Sequence, residues 1–390
     1  MREKRSTGLS RRELLARAGA LGGGIALSGF AVACGDSTST EAASSTAAAD
    51  AGSLKGTGEV VVYDGGGQWG AAQRAAYFEP FEALTGIKVI PNPGTEDSAP
   101  VLASVKAGSP QYDVYDVGGS YLQRFVDAGA VSPLDFSYWK AEDKAAIGPA
   151  PVTKYGVPSL YYSMVLAWDP DQVSGAGPTS WADFWDVGKF PGKRSLAPGA
   201  WGASSAVFEA ALLADGVAPD ALYPLDLDRA FRSLDRIKPH ILKYWAGGAE
   251  PPELINGGQV ALSSAFNGRV DTAIDQGAHL TSTWAQGILE YEYVVVLKGA
   301  KNTENAMKYI AFCSQAKPQA EFAKRITYSP TNTRAFEFID AERQKKLPTA
   351  PANKAKQVVQ DYAWWNSKAA GSKKSNEEVA IARWEEWLSA

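Results

Sequence analysis

Two histidines and two cysteines are the chain's entire supply of imidazole and thiol, and that scarcity removes most familiar chemistries. His240 and His279 are not spaced as a metal-binding pair, so no metal site is expected. There is no H-E-x-x-H stretch, no G-x-S-x-G elbow and no G-x-x-x-x-G-K-[ST] phosphate loop. Cys313 lies in YIAFCSQ, an apolar helical run, and reads as a small core residue. A pair of carboxylates can hydrolyse a glycosidic bond without any local motif, which keeps a secreted carboxylate-dependent hydrolase as an alternative. No residue pattern calls for a cofactor.

The other thiol, Cys34, has a different chemistry open to it. Arg11-Arg12 in S-R-R-E-L-L read as a twin-arginine export signal. The Gly- and Ala-rich run that follows, 18–33, is too short to span a membrane and suits a cleaved signal peptide. It ends in A-V-A-C, small residues before a cysteine, the pattern in which Cys34 becomes a lipid-carrying first residue. Residues 1–33 are therefore expected to be removed on export, and residues 34–56 to form a tether. GDSTSTEAASSTAAADAGSLKG has almost no bulky apolar side chain to offset the entropy of ordering. A coil of that length, at roughly 5–6 Å × √n, reaches about 25 Å from a membrane surface.

Two glycine runs remain as candidate contacts. GGGQWG follows the β-branched run EVVVYD, and Gly118-Gly119 closes YDVYDVGG; each precedes a helical stretch. Glycine lets backbone approach a ligand closely, and the helix that follows offers free N–H groups. The same glycines serve equally well to turn the chain. The runs nominate Gly66, Gly67, Gln68 and Trp69, and Gly119 and Ser120.

These positions need elements to hold them. EVVVYD, IKVIPN and YDVYDVGG read as strands alternating with the helical stretches AAQRAAYFEPFEALTG and YLQRFVDAGA. That alternation predicts α/β architecture, open mostly parallel sheets flanked by helices, with ligands beyond the strands' carboxyl ends. KRSLAPG, the run GQVALSSAF and EYEYVVVL repeat the theme, and EEVAIARWEEWLSA is an amphipathic C-terminal helix. The chain is long enough for two lobes. With 45% hydrophobic and 21% charged residues it is an ordinary globular composition. The net charge of −4 becomes −8 without residues 1–33, so nucleic acid is not an expected partner. Tryptophan at 12 positions over-supplies aromatic surface, some of it available to a ligand cleft.

In order, VVVYDGGGQWGAAQRAAYFEPFEALTGIKV, YDVYDVGGSYLQRFVDAGAVSPLD, GQVALSSAFNGR, VVVLKGAKNTENAMKYIAF and TYSPTN resemble the extracellular solute-binding proteins of ABC importers. The branch is the type II periplasmic-binding fold that includes the spermidine/putrescine-binding proteins. The resemblance covers nearly the whole exported chain. It implies two α/β lobes joined by hinge strands, 57–157 with 291–340 and 158–290 with 341–390. These would close on a small solute and deliver it to membrane permease subunits. A monomer is expected.

The resemblance also implies site residues. The family's polyamine binders hold ammonium groups with carboxylates and stack alkyl chains on aromatics. The acid of the returning strand matches Glu292, while Glu290 stands where an aromatic is usual. The aromatic of the late lobe-two strand matches Phe266, followed by Asn267. Tyr162 and Trp201, at the head of WGASSAVFE, complete the expected set. The acidic pair of the lobe-two helix is absent, with Ala203 and Ala206 near its place. Arg269 would repel a diamine but fork onto a carboxylate. An amine-bearing solute, polyamine-like or zwitterionic, is the expected ligand, and a zwitterion would use both Arg269 and Glu292. A carboxylate or a ferric ion is the alternative. Ferric-binding relatives use a tyrosine pair, but Tyr161 and Tyr162 are adjacent strand residues that point to opposite faces.

Overall fold

The structure is a computed structural model that describes residues 54–94, 98–173 and 175–390. The expected signal peptide, Cys34 and the expected tether up to residue 53 lie outside the described residues. Leu54 does not: it is buried at 2% exposure among Phe81, Ile87 and Ile310. Leu54, within the stretch expected as tether, thus packs into the folded body.

Among the described residues, ten strands form a single sheet. In chain order they are β1 (Glu59–Asp64), β2 (Lys88–Pro93), β3 (Val114–Gly118), β4 (Gly156–Trp168), β5 (Arg194–Leu196), β6 (Ile241–Tyr244), β7 (Leu262–Phe266), β8 (Thr281–Val296), β9 (Ser329–Pro330) and β10 (Val358–Val359). The sheet order is β2-β1-β3-β8-β4-β7-β5-β6, with β10 added to β8 and β9 to β4. One half, β2-β1-β3, is parallel, and so is the other, β7-β5-β6. Antiparallel pairing joins them through β4 and β8. The open, mostly parallel sheet expected from the strand–helix alternation is therefore present in each half.

β4 and β8 are long because each runs through both halves. β4 reads GVPSLYYSMVLAW, buried almost without interruption, as a strand covered on both faces should be. Three pairs along their contact show the crossing. Leu160 pairs with Glu292 and Tyr162 with Glu290, while Trp168 pairs with Thr281.

Helices cover the faces. α1 (Gly67–Gln73) continues through a wide turn at Arg74–Phe78 into α2 (Glu79–Thr85), which Gly86 ends in the left-handed conformation at φ 83°. α3 (Ser98–Lys106) and α4 (Tyr121–Asp127) follow. The second half holds α5 (Val207–Ala214), α6 (Leu227–Ile237) and α7 (Asn267–Asp275). After β8 come α8 (Thr303–Cys313), α9 (Ala316–Arg325) and α10 (Asn376–Ser389), the last opened by a capping box of Ser375 and Glu378. Separate apolar clusters sit under each half of the sheet, around Val60, Phe81 and Ile310 and around Phe208, Leu234 and Trp384. A smaller one, with Trp69, Leu160, Tyr162, Phe322 and Tyr328, lies between them.

Leu54→Ala tests whether this packing supports the body. It should lower the unfolding free energy by about 2–5 kcal/mol, the range for a buried leucine, read as a reduced denaturant midpoint at constant slope. An unchanged midpoint would return Leu54 to the tether.

Candidate functional site

The carboxyl ends of four strands meet at one cleft of about 430 Å³. Gly65 after β1, Gly118 at the end of β3, Trp201 beyond β5 and Phe266 at the end of β7 all line it. Tyr162 enters from β4, Glu292 from β8 and Arg269 from the first turn of α7. That volume suits a small organic solute. Of the residues nominated from sequence, Trp69, Tyr162, Trp201, Phe266, Arg269 and Glu292 come together here.

The wall is a chain of rings in contact. Trp201 meets Trp245 at 5.2 Å between centroids, Trp245 meets Phe266 at 5.4 Å, and Phe266 meets Tyr162 at 5.4 Å. Tyr162 then reaches Tyr328 at 6.2 Å, and Tyr328 reaches Trp69 at 5.5 Å. Most contacts are edge-to-face, an arrangement that holds ring planes firmly. An aromatic belt so placed offers π faces to a cation and apolar surface to methylenes.

The glycine run after β1 is chiefly a turn. Gly66 donates its N–H to Asp64 Oδ1 at 2.9 Å, and Gly66 and Gly67 sit at φ 68° and 51°. Asp64 pairs with Arg74 at 2.7 Å, and a Cβ on Gly70 would fall 2.1 Å from its oxygen. Only Gly65 and Trp69 of the run line the cleft; Gly66, Gly67 and Gln68 do not. Gly119 is also a packing residue: a Cβ there would meet the Tyr362 ring at 2.0 Å. Ser120 is fully buried and faces the Glu377 carboxyl, away from the cleft lining.

FNGR divides the same way. Phe266 and Arg269 face the cleft, whereas Asn267 is buried and spent on structure. Its Oδ1 accepts the Ser163 N–H at 2.9 Å and its Nδ2 donates to the Thr327 carbonyl at 2.6 Å. Glu290 lies beneath the cleft wall with no exposure, accepting the Tyr162 hydroxyl at 3.0 Å. Burial pushes its carboxyl well above the ordinary range, and the neighbouring Glu209 and Glu292 add to that. Glu209 is just as buried but accepts hydrogen bonds from Tyr223, Trp365 and Gln360 at 2.6, 2.9 and 3.1 Å, and its carboxyl rises less far.

Tyr161 and Tyr162 do part to opposite faces. The Tyr161 hydroxyl accepts the Ala150 N–H at 2.6 Å, on the side away from the cleft. Adjacent phenolates therefore do not converge on a hard metal. Among the described residues, metal-ligating types gather only at Asp169, Asp171 and His279, a surface group where His279 Nδ1 lies 3.3 and 3.0 Å from the two carboxylates.

Sequence reasoning passed over Tyr63, Tyr115, Asp116, Arg124 and Tyr328, all in the cleft wall. Asp116 carried a signal: it is a carboxylate inside an otherwise apolar strand, just before the strand's carboxyl end. Burial pushes its carboxyl up to about 7, opposed only by the Ser159 hydroxyl.

The family signature described as "Bacterial extracellular solute-binding protein" matches residues 76–355. The chain belongs to this family. A γ-aminobutyric acid-binding protein of Pseudomonas aeruginosa is 38% identical over 77% of this chain and 84% of its own. The spermidine/putrescine-binding periplasmic protein of Escherichia coli is 24% identical over 75% and 84%. An ABC transporter substrate-binding protein from Bradyrhizobium japonicum superposes with TM-score 0.77 at 40% identity, over 85% of this chain and 99% of that one. The structure named Atu4243-GABA receptor gives 0.73 at 39%, over 84% and 97%. The resemblance, the fold class and the role as an ABC-importer solute-binding protein that the sequence suggested thus hold.

Glu290→Gln separates burial from ligand contact in this binding protein. The native carboxyl titrates above its unfolded value, so its stabilising effect is complete at low pH and is lost as pH rises through the native value. The variant keeps a partner for Tyr162 and cannot ionise. It should match the wild type in melting temperature at pH 5 and exceed it at pH 8. Equal melting at both would mean that Glu290 is not held neutral.

Proposed function

We infer that this binding protein captures a short solute carrying both an amine and a carboxylate, of the γ-aminobutyrate kind. The observation that supports the reading most is that Arg269 and Glu292 line one aromatic-walled cleft. A guanidinium forks onto a carboxylate, a carboxylate holds an ammonium, and the rings between cover the methylenes. A linear polyamine would have a cationic end beside Arg269, which disfavours it. The relatives named for γ-aminobutyrate, at 38% and 39% identity, support the same choice.

Capture works by closure in this reading. Residues 57–157 with 291–340 form one lobe and 158–290 with 341–390 the other, hinged on β4 and β8. The solute favours the closed arrangement through contacts it makes only there. The Tyr121 hydroxyl, which donates to the Trp201 carbonyl at 3.3 Å, is one contact across the cleft mouth. Permease subunits then receive the solute unchanged, without a catalytic step. Lipidation of Cys34 would keep the exported protein beside them, and Cys34→Ala should appear in the medium instead of the membrane fraction.

Titration calorimetry with γ-aminobutyrate and putrescine tests the ligand. Arg269→Ala should weaken γ-aminobutyrate binding about 30-fold or more, the scale for a truncated charge pair, and leave putrescine no worse. Glu292→Gln should weaken both. Tight putrescine binding with Arg269→Ala neutral for every solute would overturn the zwitterion.

A further inference from the structure

Asp116 stands where two cavities meet. Behind the cleft lies a second chamber of about 30 Å³, and Asp116 and Trp69 are the residues that line both. That is room for about one water molecule. Trp69 is 9% exposed, and its Nε1–H, sealed from solvent, has no hydrogen-bond partner among the described residues. A buried indole N–H normally finds one. The partition between cleft and chamber therefore holds a carboxyl and an unsatisfied donor side by side.

The groups facing Asp116 from the chamber side are neutral near pH 7. Ser159 approaches it from β4. Tyr77 faces it from the turn after α1, and Tyr309 and Cys313 from α8; burial pushes all three up, so none is ionised. Tyr115, its neighbour on β3, is raised as well. Arg124, Arg269 and Glu292 line the cleft side, yet no cation contributes to holding Asp116 ionised. A carboxyl so placed lacks a positive partner that only the cleft can bring.

We propose that Asp116 is a specificity-determining residue of the cleft, receiving the ligand's ammonium group at its floor while a water in the rear chamber bridges Asp116 and Trp69. This rests on the reading that the ligand bears an amine. It makes Glu292 and Asp116 two separate acids reading positive charge. With its carboxyl raised to about 7, Asp116 is partly protonated in the empty protein. An entering ammonium favours the carboxylate, and the displaced proton leaves to solvent. Affinity for an amine should then rise with pH below about 7, by up to about tenfold per pH unit.

Titration calorimetry on the full body with γ-aminobutyrate and with putrescine, at pH 5.5, 6.5 and 7.5 in two buffers of different ionisation enthalpy, tests this. The wild type should release a fraction of a proton on binding at pH 6.5 and bind more tightly at 7.5. Asp116→Asn should lose both the release and the pH slope and bind at least about tenfold more weakly at pH 7.5. An Asp116→Asn protein that keeps the wild-type affinity and proton release overturns the proposal alone. Failure of both solutes to bind the wild type overturns it together with the reading of an amine-bearing ligand. Should the variant not fold, ¹³C carboxyl NMR of the wild type decides. The Asp116 resonance should shift to its ionised position when solute is added at pH 6, and a resonance that stays put overturns the proposal.

Discussion

The register of β4 against β8 is the constraint on which the rest depends. Leu160 lies opposite Glu292 and Tyr162 opposite Glu290, so these residues share one face of the sheet. That face meets Trp69, Phe322 and Tyr328 and becomes the cleft floor. The other face takes Tyr161 and Leu289, which pack with Ala150. A slip of one residue would exchange the two sets, turning the carboxylates away from the cleft and the Tyr161 hydroxyl into it. The apolar load on both faces prevents that slip. The same two strands also join the two parallel halves of the sheet, so the segment that presents Glu292 belongs to that junction.

Several carboxyls are buried around that floor. Asp64 is held by Arg74 and by the Gly66 N–H. Glu209 is held by three neutral donors and Glu290 by one. The graded upward push on Glu209 and Glu290 follows that difference in donors, because desolvation acts on both without relief from charge.

The fold was legible in the sequence because burial by a strand and burial by a helix leave different patterns. EVVVYD and the long run GVPSLYYSMVLAW show strands, and Gly86 shows a helix end. The site was legible only to the level of segments. Phe266 and Arg269 face the cleft, but Asn267 between them is turned inward to bond Ser163 and Thr327. Glu292 is in the wall while Glu290, on the same face, is roofed by Tyr162. Alternation gives the face of a strand; it does not say which residues on that face another element will cover. Gly119 and Ser120 stand outside the cleft lining for the related reason that Tyr362 and Glu377, far along the chain, occupy the space beside them.

Those distant residues show how the far end of the chain enters the site. α10 packs on the Gly199–Ser205 turn, where Gly202 adopts φ 55° and a Cβ would meet Glu377 at 2.6 Å. Glu377 accepts the Ala203 N–H at 3.2 Å, faces Ser120 at the start of α4, and lies near Arg124. Ile381, one turn further, lines the cleft itself. One helix thus touches the loop carrying Trp201 and the helix that follows β3, which belong to opposite halves of the sheet. Trp201 and Tyr121 are consequently positioned relative to each other twice, by their own hydrogen bond and by their shared support on α10. The two halves of the sheet cannot part at this point without breaking the Glu377 contacts.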